Sequence, residues 1–303
     1  MRRLAHKGKW FFPFIAALLI AVPLFLQSCG TGGYSNPQSQ ITGSSVLVDP
    51  ATLNNWTTNG YGTDSSGFNK MVVLDVASAT GTTSYTGSGH VQNAFLLDTA
   101  ADLTTTRSDG VSDTITMVAT RTMMDNLIQK TGIDENTVVV ITGDSLLNMG
   151  AAYFNFRYWG FPKNRLKVLD RTNKAYQTAG FALANNIPPA PTPSTYSVCK
   201  LTQNTSLRAP LSEVIALAEG GIPNALAWDV RTANEYNGVA GSTAGPSGSA
   251  VGFVAFEGHV KGAVNLVHTT HLSPDGSTLL SPDTIRASLT TAGITPDKTA
   301  YTY

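Results

Sequence analysis

The side chains able to do chemistry in this 303-residue chain are few. Cys199 stands alone in a polar linker and reads as an incidental thiol. Ser145 closes the stretch Thr142-Gly143-Asp144-Ser145, between an apolar run and an amphipathic one. A strand that runs through a loop into a helix start is a good place for chemistry. No base accompanies Ser145 in sequence, so it does not read as a nucleophile. His268 and His271 lie close together, but no cysteine or further ligand is near, and no metal or other cofactor is expected. His259 sits in Gly258-His259-Val260-Lys261-Gly262-Ala263 and invites a catalytic role. The same histidine recurs as His90 in Gly89-His90-Val91-Gln92-Asn93-Ala94, which favours a structural histidine bonding backbone at a turn. Arg231 ends the apolar run Ala225 to Arg231 together with Asp229, and a salt bridge to Glu235 is one use for it.

Those residues need elements to hold them. Met71–Val76, Ala94–Leu97, Val138–Ile141 and Leu166–Leu169 are runs of strand length. Helical spacing at Met123, Met124, Leu127 and Ile128 predicts a helix stopped by Gly132. Leu146–Trp159 and Lys174–Ala179 read as further helices, and Asp49 or Thr52 as the cap of a short one carrying Leu53 and Trp56. Alternating strands and helices imply an α/β class with a mainly parallel sheet. Residues 185–206 carry four prolines and read as an extended linker. The plan then repeats: helix Leu211–Glu219, strand Ala225–Arg231, a loop at Val239–Ala250 expected to be mobile, a helix through Ile285 and Leu289, and strand Thr299–Tyr303. Asp75-Val76 answers Asp229-Val230, His90 answers His259, and Thr131-Gly132-Ile133 answers Ala292-Gly293-Ile294, so the halves read as a duplication. The domains are then 46–184 and 207–303, after a leader at 1–28 and a tether at 29–45.

Formal charge is zero, and no nucleic-acid partner is expected. Arg2, Arg3, Lys7 and Lys9 precede an uncharged apolar run from Trp10 to Leu26, broken by Pro13 and Pro23. That is a signal-peptide pattern, too short to span a membrane. Leu26-Gln27-Ser28-Cys29 resembles a bacterial lipoprotein box, which implies acylation of Cys29 and a lipid anchor in the cell envelope. Gly30 in place of an aspartate points to the outer membrane, facing the periplasm or the exterior. Loss of the leader leaves 16 basic and 20 acidic residues, net −4.

From Ser45 to Tyr303 the order Asp229-Val230-Arg231, Glu235-Tyr236, Gly258-His259-Val260-Lys261-Gly262-Ala263-Val264-Asn265 and Ala292-Gly293-Ile294 resembles the tandem-domain rhodanese-like sulfurtransferases. The resemblance implies two rhodanese-like domains, each a mainly parallel sheet flanked by helices, the second incomplete at its C-terminus. It implies sulfur transfer from a small oxyanion such as thiosulfate to a thiol acceptor, through a persulfide on a loop nucleophile. It places Arg231 near the site mouth as an anion contact, which is compatible with a salt bridge to Glu235. Asp229, Glu235 and His259 become structural parts of the motif.

The nucleophile of that pattern falls just after Tyr303. The loop at Thr142–Ser145 has no thiol, and Asp144 would repel an anionic donor. Three expectations follow: a fragment, a truncated gene, or a selenocysteine codon read as stop. The 303-residue chain is expected to be inactive. A non-catalytic anion- or protein-binding module is the alternative, and a phosphatase of related fold is a third.

Overall fold

A computed structural model describes residues 45–62, 67–81, 85–108, 113–242 and 257–303. Cys29 with its leader and tether, and most of the Val239–Ala250 stretch, lie outside the described residues. Among the described residues no helix is long and apolar enough to cross a membrane.

The chain opens with β1 (Leu47–Val48) and α1 (Pro50–Asn59), then β2 (Lys70–Ala77), β3 (Phe95–Asp98), β4 (Thr104–Ser108) and β5 (Asp113–Val118). Next come α2 (Arg121–Thr131), β6 (Thr137–Gly143), α3 (Leu146–Tyr158), β7 (Leu166–Leu169) and α4 (Asn173–Thr178). The second half supplies α5 (Leu211–Ala218), β8 (Ala225–Asp229), α6 (Ala233–Tyr236), β9 (Val264–Asn265), α7 (Pro282–Thr291) and β10 (Thr299–Thr302). The fold is α/β, with a parallel five-stranded sheet in the order β1-β7-β6-β2-β3. A second parallel sheet has the order β10-β8-β9.

Strand β6 is central, and all seven of its residues are buried, as its unbroken Val/Ile run requires. Each fully buried Val or Ile there contributes roughly 1.5–3 kcal/mol relative to exposure. Helix α2 lays Met124, Leu127 and Ile128 into the same core. Thr120 caps its start by accepting the Met123 N–H, and Gly132 ends it in the left-handed region at φ 70°. Asp49, whose carboxylate takes the Thr52 N–H, caps α1.

Two features depart from expectation. Strands β4 and β5 form an antiparallel ribbon with a register shift between Thr105 and Arg107. Its β4 strand, Thr-Thr-Thr-Arg-Ser, carries no apolar residue to announce it, and Ile115 and Met117 in β5 are its only alternation. The linker is not a free spacer either. Tyr196 and Val198 are buried in the first core, and the Val198 N–H donates to Asp125 Oδ1 at 2.9 Å. Arg165 donates to the Tyr196 hydroxyl at 3.1 Å. Gly160, at φ +96°, lets the Thr202 carbonyl approach so closely that a Cβ would overlap it.

The second sheet is thinly covered. Helices α5 and α7 bury no residue fully, and Leu211 and Ile215 are exposed. A three-stranded sheet with one helix on a face has little apolar area to hide.

Candidate functional site

Strand β8 brings an apolar run to Asp229, which is fully buried. A buried carboxylate needs partners, and the turn that follows supplies them. Asp229 Oδ1 accepts the Arg231 backbone N–H at 2.9 Å and Arg231 Nε at 3.0 Å. Arg231 Nη2 donates to Asp229 Oδ2 at 2.6 Å and to the Gly258 carbonyl at 2.7 Å. The Tyr303 ring faces the guanidinium 5.2 Å away, and the Tyr303 hydroxyl accepts the Val260 N–H at 2.8 Å. Asn265 donates from Nδ2 to the carbonyls of Asp229 and Arg231, at 3.1 and 2.9 Å. These groups meet at the C-terminal ends of parallel strands, where open α/β sheets bind ligands.

The electrostatics follow from the pairing. Burial would raise the Asp229 pKa, but the Arg231 hydrogen bonds and charge, with the Tyr303 hydroxyl, override it and hold it below 3.8. The same bonds from Asp229 raise Arg231, and burial raises Tyr303. Arg231 is therefore a permanent, oriented cation whose side chain remains 26% exposed at the strand ends.

Glu235 is not its partner. Glu235 accepts the Thr232 N–H and hydroxyl at 3.0 and 2.7 Å, and the Glu235 N–H donates in return to the Thr232 hydroxyl oxygen. That capping box starts α6 and sets the direction of the chain after Arg231.

His259 lies beside Tyr236. Its Nδ1 meets the Tyr236 carbonyl at 2.7 Å, and its ring stacks on Tyr236 at 3.8 Å and 9°. The Tyr236 hydroxyl donates to the Ala263 carbonyl at 2.9 Å. The first half repeats this: Tyr85 stacks on His90 at 3.9 Å and 3°, and its hydroxyl donates to the Ala94 carbonyl. Tyr236 stood out in the sequence only as part of the Glu235-Tyr236 pair, and Tyr85 did not stand out at all. Tyr85 lies nine residues before Ala94 and Tyr236 lies 27 before Ala263, so an insertion hides their equivalence.

The first sheet's strand ends differ. Asp75 occupies the place of Asp229 but is bonded by Asn173 at 2.6 Å and Thr142 at 3.0 Å, with no guanidinium. Burial raises its pKa to about 6. Asp144 Oδ1 accepts the Lys174 N–H at 3.3 Å, and Ser145 caps α3. A turn from the second half covers this mouth: the Thr172 N–H donates to the Ser277 carbonyl at 2.8 Å, and Leu279 N–H to the Asp170 carbonyl at 3.1 Å. Cys199 is exposed on a turn of the linker. His268 bonds the Val230 carbonyl through its own N–H at 3.0 Å, and His271 packs edge-on against Trp228. Among the described residues no group of three or more His, Cys, Asp or Glu could hold a metal ion.

No protein-family model and no curated protein sequence matches the chain. Solved structures do. An EanB variant in complex with hercynine superposes with a TM-score of 0.63 at 19% identity, covering 85% of this chain and 59% of that one. An anaerobic ergothioneine biosynthesis enzyme from Chlorobium limicola, in complex with trimethyl histidine, gives 0.60 at 18% identity, with 85% and 60% coverage. YnjE gives 0.59 at 18%, with 85% and 58%. The chain thus spans about three-fifths of the length of these structures, and at such identity the likeness is one of fold. These findings overturn the identification with tandem-domain rhodanese-like lipoproteins: the neighbours are EanB and YnjE, distinct from such lipoproteins, and no family model supports it. The physical reason is that the motif residues behind it hold the fold. Asp229 anchors a strand end, His259 a turn and Glu235 a helix start, and none of these jobs specifies a family.

Proposed function

We propose that the chain is a scaffold for sulfur transfer and that Arg231 draws a small sulfur oxyanion, thiosulfate in the simplest case, to the strand ends of the second sheet. The observation that carries the reading is the Arg231 guanidinium, fixed by the fully buried Asp229 carboxylate at the C-terminal edge of β8. The fold likeness adds support, because one of the solved EanB structures is a cysteine persulfide in a tetrahedral intermediate state with ergothioneine. The nucleophile in this reading is a cysteine thiol held at the strand ends beside Arg231. Its thiolate would attack the outer sulfur of thiosulfate, forming the persulfide S–S bond and releasing sulfite. An acceptor thiolate or cyanide would then take the outer sulfur and return the thiolate.

Calorimetric titration with thiosulfate tests this. Binding should weaken about tenfold or more in Arg231→Ala, the cost of losing a charge-assisted hydrogen bond. Equal affinity in the two proteins would sink the reading. For the 303-residue chain we expect no cyanide-dependent thiocyanate from thiosulfate, since β8, β9 and β10 carry no thiol. Turnover that survives Cys199→Ser would put the nucleophile elsewhere. Binding without turnover is the second reading, which needs only the fixed, partly exposed Arg231; specific thiosulfate binding by a longer chain that still transfers no sulfur would decide for it.

We also propose that 46–184 and 207–303 are copies of one unit, joined by 185–206. Two features support this: the duplicated Tyr–His stack, and a shared register in which Asp75 pairs with Leu96 as Asp229 pairs with Asn265.

A further inference from the structure

We infer that Asn265 is a positioning residue that holds Arg231 in its anion-facing pose; this rests on the reading of Arg231 just given. Both atoms that face the Asn265 amide are carbonyl oxygens, of Asp229 and Arg231, at 3.1 and 2.9 Å. Only the NH2 end of the carboxamide can satisfy both, so the side chain has one productive orientation. Those carbonyls flank Val230, the residue at which the chain leaves β8. One side chain therefore staples both sides of the turn that presents Arg231. The neighbouring Leu266 N–H donates to the same Asp229 carbonyl at 3.1 Å, so the staple is anchored to the sheet.

The first half is an internal control. In the register of the sheets, Asn265 pairs with Asp229 as Leu96 pairs with Asp75. Two residues after Asp75 the chain has Ala77 where the second half has Arg231. There Ala77 continues the ladder opposite Asp98, and β3 runs four residues. In the second half β9 stops after two residues, at Asn265, and the Asn265 side-chain bonds add to the backbone bonds that Leu266 and His268 make to the carbonyls of Asp229 and Val230. The half without the arginine is also without the asparagine. A purely architectural asparagine would serve both sheets.

The test uses the full 15N-labelled chain. Solvent exchange of the Arg231 Nε–H is measured in the wild type, Asn265→Ala and Asn265→Leu. The leucine variant copies the residue that the first sheet accommodates at this register, so it keeps strand packing while removing both donors. Exchange should speed about tenfold in both variants, the equivalent of one lost hydrogen bond, with Asp229 still buried and the far-UV spectrum unchanged. Thiosulfate affinity should fall by a similar factor in Asn265→Leu, and not fall further when that change is added to Arg231→Ala. Unchanged Nε–H exchange in Asn265→Leu overturns the inference, whatever the anion does. Faster exchange with no thiosulfate binding in any protein sinks the sulfur-oxyanion reading and leaves Asn265 as the holder of Arg231. Equal losses of affinity in the Arg231-containing and Arg231→Ala backgrounds would show that Asn265 acts on the anion site by another route, and would also overturn it.

Discussion

Arg231 is bound to Asp229 by its backbone N–H, Nε and Nη2, so a residue at i+2 closes on its own strand end. The arrangement makes the guanidinium rigid and leaves the carboxylate dependent on it.

Arg231→Ala strands a buried negative charge. Breaking a buried pair from one side costs about 3–5 kcal/mol; with Arg231 partly exposed, about 3 is the expectation, read by urea denaturation. Asp229→Asn keeps acceptors for two of the bonds and should cost less. An Asp229→Asn variant less stable than Arg231→Ala would contradict the assignment of the burial penalty to the carboxylate.

Asp75 and Asp229 should give opposite pH profiles. Asp75 has its folded pKa raised to about 6 from 3.8. Between those values the folded state binds more protons than the unfolded one, so stability falls as pH rises through that window and levels off above it. The slope approaches about 1.4 kcal/mol per pH unit at most. Asp229, held low, contributes stability above its unfolded pKa that is lost as pH falls through the folded one. Denaturation of Asp75→Asn from pH 4 to 7 should show a flatter curve than the wild type; a parallel curve would remove Asp75 as the cause.

Removing the Tyr85 hydroxyl leaves the buried Ala94 carbonyl without that donor. Tyr85→Phe should cost about 1 kcal/mol or more, and Tyr236→Phe less, because its surroundings are only partly buried. Thermal unfolding of the two variants compares them directly, and the reverse order would show that the second stack carries more load.

Gly160→Ala places a Cβ against the Thr202 carbonyl at a positive φ. We expect about 1–3 kcal/mol of destabilisation. Gly180→Ala, also at positive φ but with open space around it, should show only the conformational part of that loss. Equal effects would mean that the linker does not press on Gly160.

The sequence was most legible where burial is uniform. The runs at β2, β6 and β7 and the spacing in α2 announce themselves, because a strand or helix face packed on all sides admits only apolar residues. The ribbon β4–β5 has no such signature. Tyr196 and Val198 looked like parts of a polar linker, because burial of two residues just after a run of prolines is decided by what they meet and not by any local period. At the candidate site Asp229 and Arg231 could be picked out as charges ending an apolar run. Their mutual pairing could not, since Glu235 offered an equally good partner until the capping box claimed it. Asn265 and Tyr303 depend on strand register, which one sequence does not reveal.

The packed linker has a mechanical consequence. A connection whose Tyr196 and Val198 are sunk in the first core, whose Asn204 N–H reaches the Tyr158 carbonyl at 2.8 Å, and whose return is clasped by the Ser277–Thr172 bond cannot serve as a hinge. Any swing of one half against the other must first peel that segment from the core, so the strand-end cation keeps its bearing relative to the first sheet. A protease should therefore find residues 196–204 a poorer place to cut than the exposed stretch 185–187, despite their composition.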